Sequence, residues 1–348
     1  MLKFLGSKAR LLPHITQVAQ SLGARSALDA FAGSCRVGVA LKKAGLDVTS
    51  NDILTFPTVV GNCYIGTDAQ AVCRQTYLDE YFEVINSLAP EPGYLTQKFS
   101  VEARYFQEHN AARADAILCR IRTDLFPNTW MKDVLLTSLM EALDSVDSTV
   151  GLQMAYLKTW AARSYKSMVL EMPTLLPGPG SVSQMDAHDA LASYDGDLAY
   201  LDPPYNQHSY LGNYHVWETI AKGDTPETYG IANKRVDVKT RKSAYNSKRE
   251  IRHAFTELVV SSRVPYLLVS FNNEGYLGVE DIESILGQKG YVGKVAIPHR
   301  RYVGHKIGCY NPAGEKVGVE GPSDNTEYLF LVGQNQSKVL DSLACLPL

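Results

Sequence analysis

No stretch of this chain approaches the roughly 18 consecutive apolar residues that a membrane-spanning helix requires, so a helical membrane protein is excluded and no membrane partner is expected. The amino terminus shows no hydrophobic leader segment, which sets the expected location as the cytoplasm. There is also no excess of basic charge. Lys and Arg number 34 against 37 Asp and Glu, for a formal net charge of −3. That excludes a basic surface overall, and any nucleic-acid contact must come from local clusters. The six cysteines (Cys35, Cys63, Cys73, Cys119, Cys309, Cys345) form no C-x-x-C and stand beside no paired histidines. They fit neither a disulfide framework nor a zinc site, and read as reduced core or incidental thiols. Internal repeats and low-complexity tracts are missing too.

What is present is an ordinary globular composition, 45% hydrophobic over 348 residues, enough for one large domain with an insertion or for two domains. Strand-like runs stand at 26–32, 47–51, 197–201, 264–271, 291–297 and 326–332. The first three are separated by glycine-rich turns or helical patterns, which predicts an α/β fold with a mostly parallel sheet. Between about 62 and 172 the strand signal vanishes. Met131, Val134, Leu135, Leu139 and Leu143 recur at helical spacing, and 151–170 carries a second helical pattern ending at Pro173. Residues 62–180 are therefore expected to be a helical insertion closed by the linker Pro177-Gly178-Pro179-Gly180, leaving 1–61 and 181–348 as the catalytic domain. Residues 223–252 are polar and irregular, the pattern of a long surface loop before a helix starting near Arg252.

Chemistry concentrates at Asp202-Pro203-Pro204-Tyr205, which follows the apolar run Leu198–Leu201. A buried strand stopped by two prolines places Asp202 at its carboxyl end, where open α/β sheets bind ligands. A carboxylate, a carbonyl at Pro203 stiffened by the following ring and an aromatic face together suit a flat exocyclic amine. A Pro-Pro turn without function is the plainer alternative. A second constellation is Asp29-Ala30-Phe31-Ala32-Gly33-Ser34, with Gly38 opening the next helix and Asn51-Asp52 closing the next strand. A glycine turn admits close ligand approach, and an acid at the neighbouring strand tip suits the two hydroxyls of a ribose. Phe4-Leu5-Gly6-Ser7-Lys8 leads a helix expected near Leu11.

Taken together, "FLGSK" at 4–8, "DAFAGS" at 29–34, "ND" at 51–52 and "DPPY" at 202–205 resemble the adenine-N6 DNA methyltransferases of the Dam-like and type II modification methylase family. The resemblance extends to "DSTVGLQMAYLKTW" at 147–160, "NYHVWETI" at 213–220, "SAYNSKREIRHAF" at 243–255, "LLVSFNNEG" at 267–275 and "TEYLFLV" at 326–332. It implies a Rossmann-like class I methyltransferase using S-adenosyl-L-methionine. On this resemblance Phe4, Gly6 and Lys8 form the first cofactor motif and Asp29, Phe31, Gly33 and Ser34 the main cofactor loop. Asp52 is the ribose acid, Asp186 the acid meeting the cofactor's adenine amine, and Asp202 to Tyr205 the catalytic tetrapeptide. The chain departs from the family pattern at Cys35-Arg36, where a glycine often follows Gly-Ser, and this puts the detailed geometry of the loop in doubt.

Adenine in a duplex has to leave the stack before its amine is accessible, and stacking on Tyr205 is the expected means of holding it. The resemblance further implies double-stranded DNA as partner, with a restriction endonuclease as functional counterpart or none for a solitary methylase, and a monomer acting at the nucleoid. DNA contact is expected from Lys234, Arg235, Lys239, Arg241, Lys242, Lys248 and Arg249, with Arg252 beside them, against only Asp237 and Glu250. In the helical insertion, the possible target-recognition region, Arg104, His109, Asn110, Arg113, Arg120 and Arg122 are candidates to face a groove. Asn206, His208, Tyr210, Tyr214 and His215 are candidates to shape the base pocket. The alternatives are a cytosine-N4 DNA methyltransferase, which more often carries Ser where Asp202 stands, an RNA or protein-amide methyltransferase, and a non-catalytic DNA-binding module on the same fold.

Overall fold

The computed structural model describes residues 1–6, 8–72, 77–124, 129–300 and 324–346; Ser7, Cys73 and Cys309 lie outside them. Among the described residues seven strands form one sheet: β1 (Ser26–Asp29), β2 (Asp47–Asn51), β3 (Gly180–Ser183), β4 (Leu198–Leu201), β5 (Tyr266–Asn272), β6 (Tyr291–Arg300) and β7 (Asp324–Gly333). Their order is β3-β2-β1-β4-β5-β7-β6. The first five run parallel, and β7 lies antiparallel between β5 and β6. The chain winds outward from β1 to β3 and then returns to the other side of β1 as β4. Ligand crevices open at such a reversal, beyond the carboxyl ends of the strands.

Alternation along the central strands divides the core between the two faces of the sheet. Leu198 and Tyr200 of β4 join one apolar cluster, while Ala199 and Leu201 join the other. Helices α1 (Leu12–Leu22) and α2 (Arg36–Lys43) contribute to the first cluster, as do α3 (Thr55–Gly61), α4 (Glu108–Thr123), α5 (Thr129–Ser145) and α7 (His215–Lys222). Helices α6 (Ala187–Ser193), α8 (Ile251–Ser261) and α9 (Val279–Leu286) cover the second, and α10 (Gln336–Ala344) packs on β6 and α1. The helical spacing read at 131–143 becomes α5, with Val134, Leu135, Leu139 and Leu143 fully buried. These side chains belong to the same cluster as Ile15 and Tyr200, so the helical segment shares the core of the sheet.

Two expectations need correction. The second helix, expected over 151–170, does not form: the segment holds only the short 3₁₀ turn Ala162–Tyr165. Its backbone is tied outward instead. Gln153 donates to the Asn213 carbonyl at 2.7 Å, Leu157 to Ser148 at 2.8 Å, and Arg163 forks onto Asp147 at 2.7 and 2.9 Å. Met154, Tyr165 and Val169 stay exposed while Met168 and Leu170 are buried in the main apolar cluster, so the apolar residues reach the core from an extended segment rather than from one helix face. Conversely, the end of the assumed linker is β3. Its sequence Gly-Ser-Val-Ser is half exposed and pairs only with β2 at the sheet edge, which explains why no strand signal appeared.

Candidate active site

The glycine turn joins β1 to α2. Asp29 ends β1 fully buried, and its Oδ2 accepts the Gly38 backbone N–H at 3.0 Å, stitching the start of the helix to the strand. Burial is the main cause pushing its carboxyl up to about 7, with the Gly38 bond opposing. Gly33 has φ +50°, and a Cβ there would lie 2.8 Å from the Phe4 ring. Phe4 cannot easily withdraw, because it stacks on Tyr214 at 4.6 Å and on Tyr210 at 5.2 Å between ring centroids. The first and second sequence motifs are thus one packed unit. Cys35, the departure from the family pattern, adopts φ +58°, so a left-handed conformation suited to glycine is kept by a cysteine. Its buried sulfur rests 3.4 Å from the Pro57 carbonyl oxygen and 3.7 Å from Ser50 Oγ.

At the tip of β2, Asp52 accepts N–H bonds from Gly33 and Leu54, both at 2.9 Å. Burial outweighs these bonds and pushes its carboxyl up to about 6. Asn51, which the sequence offered only as a neighbour of Asp52, bridges three strand ends by binding the Ala30 and Met185 carbonyls through Nδ2 and Ser183 Oγ through Oδ1. Asp186 caps α6, taking the His188 N–H at 2.9 Å. A cavity of about 570 Å³ opens over these groups. Phe4, Gly6, Lys8, Asp29, Phe31, Gly33, Ser34, Asp52 and Asp186 all line it, together with Asp202 and Pro204.

The tetrapeptide follows β4 at the other side of the reversal. Asp202 Oδ1 receives Lys8 Nζ at 3.1 Å and Ser270 Oγ at 3.0 Å, whereas Oδ2 has no partner among the described residues. Lys8 Nζ also lies 3.8 Å from Glu327. Burial works against the Lys8 ammonium, yet Asp202 and then Glu327 outweigh it and hold its pKa well above the ordinary value. The Asp202 carboxyl is itself pushed up by burial, with Lys8 and Ser270 opposing. Pro203 is buried beneath the motif. Tyr205 is also buried; its hydroxyl accepts from Asn272 at 2.8 Å and its ring centroid lies 5.7 Å from Lys8 Nζ.

Several polar and charged partners escaped the sequence reading. Glu218, fully buried on α7, accepts the Thr55 and Phe56 N–H groups at the start of α3, at 2.9 and 3.1 Å. An acid inside the apolar run "HVWETI" was the available signal. Ser270 and Glu327 lie within β5 and β7, strands whose apolar pattern drew attention away from them.

The segment 223–252 is more structured than a surface loop. It contains a hairpin of Thr228–Tyr229 and Lys234–Arg235 and a turn, Ala244–Asn246, whose Tyr245 is buried edge-on to Phe31 at 5.3 Å. Residues 241–246 wall the cavity. Two of the expected DNA contacts are held in ion pairs within the protein. Arg235 is buried and paired with Asp224 at 2.6 Å and Asp237 at 3.1 Å, so it braces the hairpin. Arg241 neutralises Glu218 at 3.2 Å and Asp237 at 3.5 Å. Lys234 is half buried, while Lys239, Lys242, Lys248 and Arg249 are exposed. In the helical segment, Asn110 is buried and binds the Lys166 carbonyl and Met168 N–H, Arg113 binds the Met168 and Asn86 carbonyls, and Arg120 pairs with Asp124. Arg104 donates to the Lys158 carbonyl over the Trp160 ring. Of the candidates after the tetrapeptide, Tyr210 lines the cavity, while His215 is buried against Tyr105 and Gln153.

A mostly parallel sheet in this order, with a glycine turn and an acid at adjacent strand tips and a half-buried carboxylate across the reversal, is the Rossmann-like arrangement of class I methyltransferases. Residues 4–272 match the D12 class N6 adenine-specific DNA methyltransferase family, and the chain belongs to it. It is 33% identical over 329 residues to Type II methyltransferase M.FokI of Planomicrobium okeanokoites, covering 86% of this chain and 50% of that protein. It is 30% identical over 321 residues to Type II methyltransferase M.NlaIII of Neisseria lactamica, covering 88% and 93%, and 31% identical over 324 residues to Modification methylase StsI of Streptococcus sanguinis, covering 86% and 49%. The chain thus spans about half the length of M.FokI and StsI and nearly all of M.NlaIII.

Proposed function

We propose that this chain transfers a methyl group from S-adenosyl-L-methionine to the N6 amine of adenine in double-stranded DNA, as the modification component of a restriction-modification system or as a solitary methylase. The cavity suits the cofactor: Asp52 offers a carboxylate to ribose hydroxyls, Phe31 and Tyr245 offer apolar faces, and the Gly33 turn admits close approach. When bound, the cofactor supplies an electrophilic methyl group on a sulfonium.

The observation that carries the reading is the asymmetry of Asp202. With Oδ1 fixed by Lys8 and Ser270, Oδ2 is left to accept a hydrogen of the target amine, and the Pro203 carbonyl accepts the other. Holding both hydrogens localises the nitrogen lone pair and aims it at the methyl carbon. As the N–C bond forms and the bond from the methyl group to sulfur breaks, the carboxylate stabilises positive charge on nitrogen, which then loses one proton to solvent. No enzyme nucleophile is required. Tyr205 is assigned to stacking on the extruded base, which requires one face of its ring to open from its present packing.

We assign residues 62–180 to target recognition and 1–61 with 181–348 to catalysis. A monomer in the cytoplasm acting at the nucleoid, with a restriction endonuclease as counterpart, completes the reading. The division into 62–180 and the remainder is supported by the single long interruption of strand-helix alternation in the described chain. The test is to incubate the protein with the cofactor and DNA and sequence the modified bases. N6-methyladenine at a fixed sequence is the expected product. N4-methylcytosine would establish the cytosine enzyme, and DNA binding without methylation would establish a binding module.

A further inference from the structure

The cavity is lined by four Lys and Arg side chains, and the protein neutralises two of them itself. Lys8 is held by Asp202 and Glu327, and Arg241 by Glu218 and Asp237. Lys242 is exposed to solvent. Arg36 differs from all three. It is partly buried, it makes no ion pair with any carboxylate among the described residues, and its one protein hydrogen bond runs from Nη2 to the Leu2 carbonyl at 3.1 Å. Its Nε is buried and has no acceptor. A guanidinium hydrogen kept from water without a partner is costly, so the side chain as held in the ligand-free protein is incompletely satisfied.

The position of Arg36 says which ligand. It is the first residue of α2, directly after the turn Gly33-Ser34-Cys35. Through Leu2 it is tied to the segment that carries Phe4, and Phe4 packs on Gly33. Arg36 therefore stands where the two motifs meet, on the wall that they share with the cavity. The cofactor carries one permanent anion, the α-carboxylate of its methionine part. A planar guanidinium is the side chain best matched to that group, and the surrounding acids Asp29 and Asp52 would otherwise repel it.

We infer that Arg36, a cavity-lining cation with no carboxylate partner among the described residues, binds the α-carboxylate of S-adenosyl-L-methionine through its guanidinium. The inference rests on the cofactor reading above and adds a specific contact to it. The left-handed residue at 35 turns the chain so that residue 36 begins the helix beside the cavity.

The test compares two ligands that differ at this group. Calorimetry would measure binding of S-adenosyl-L-methionine and of its decarboxylated analogue to the wild-type protein, Arg36→Gln, Arg36→Lys and Asp52→Ala. The wild type should prefer the intact cofactor by roughly 10- to 100-fold, the range of one charge-assisted hydrogen bond. Arg36→Gln should bring that preference to within about threefold by weakening the intact cofactor alone, Arg36→Lys should restore part of it, and Asp52→Ala should weaken both ligands alike. If Arg36→Gln weakens both ligands equally, Arg36 acts only by holding Leu2 and the inference is overturned. It is also overturned if the variant leaves the preference unchanged. A wild-type protein that binds neither ligand overturns the cofactor reading itself.

Discussion

At the scale of single residues, the site divides its acids by what already occupies them. Asp202 has one oxygen fixed and one free, so Asp202→Ala should abolish methyl transfer while cofactor affinity changes little. Lys8 would keep Glu327 as a partner, which protects the fold from an unpaired buried ammonium. Single-turnover methylation and calorimetry separate the two effects, and a parallel loss of cofactor binding would move Asp202 into the cofactor site. Asp52 makes a prediction about pH. Its carboxyl is pushed up to about 6, and only the ionised form accepts both ribose hydroxyls, so cofactor affinity should rise as pH climbs from 5 to 7 and then level off. Asp52→Asn should bind more weakly and lose that rise. The stability of the ligand-free protein should move the other way. A folded-state pKa above the unfolded value near 4 means that the contribution is complete below pH ~4 and is lost as pH rises through about 6. Asp29, at about 7, extends that loss upward, and thermal unfolding across pH 4–8 measures the sum.

At the scale of elements, the turn between β1 and α2 carries two left-handed residues, and only one is a glycine. Gly33→Ala adds about 1–2 kcal/mol of backbone strain and drives a methyl into the Phe4 ring, which Tyr210 and Tyr214 hold in place. Urea unfolding should show at least that loss, accompanied by weaker cofactor binding. Cys35 gives a finer comparison. Cys35→Ala keeps the strain and forfeits the buried sulfur, costing roughly 1 kcal/mol, whereas Cys35→Gly relieves about 1–2 kcal/mol of strain against the loss of the sulfur and its Cβ. Glycine should therefore rank as the more stable variant, and the reverse order would show that the sulfur's contacts with Ser50 and Pro57 dominate.

At the scale of the whole molecule, a net charge of −3 leaves DNA attraction to local clusters. With Arg235 and Arg241 committed to internal carboxylates, the basic segment retains Lys239, Lys242, Lys248 and Arg249 at the surface. Neutralising Lys242, Lys248 and Arg249 together should flatten the slope of log affinity against log salt by up to ~2.7, at ~0.9 per phosphate contact. Cognate and unrelated duplexes should weaken by similar factors, because phosphates carry no sequence information. An unchanged slope would place the DNA elsewhere. Neutralising Arg235 should instead lower stability, since it leaves Asp224 and Asp237 facing one another without their cation.

The strand-turn-helix order, the acids at strand tips and the tetrapeptide were legible because each is local. Period-two and period-3.6 apolar patterns, a proline stop and a glycine turn act within a few residues of themselves. Long-range pairing decided the rest. β3 is a strand because the edge of β2 offers it a ladder, and 151–170 is not a helix because Asn213, Ser148 and Asp147 take its bonding groups. The same holds for charge. Glu218 and Glu327 come from segments far from the residues they neutralise, so only their placement shows that Lys8 and Arg241 are spent and Arg36 is not. A sequence displays which charges a chain owns, while desolvation and distance, set by the fold, determine which of them remain available for a ligand.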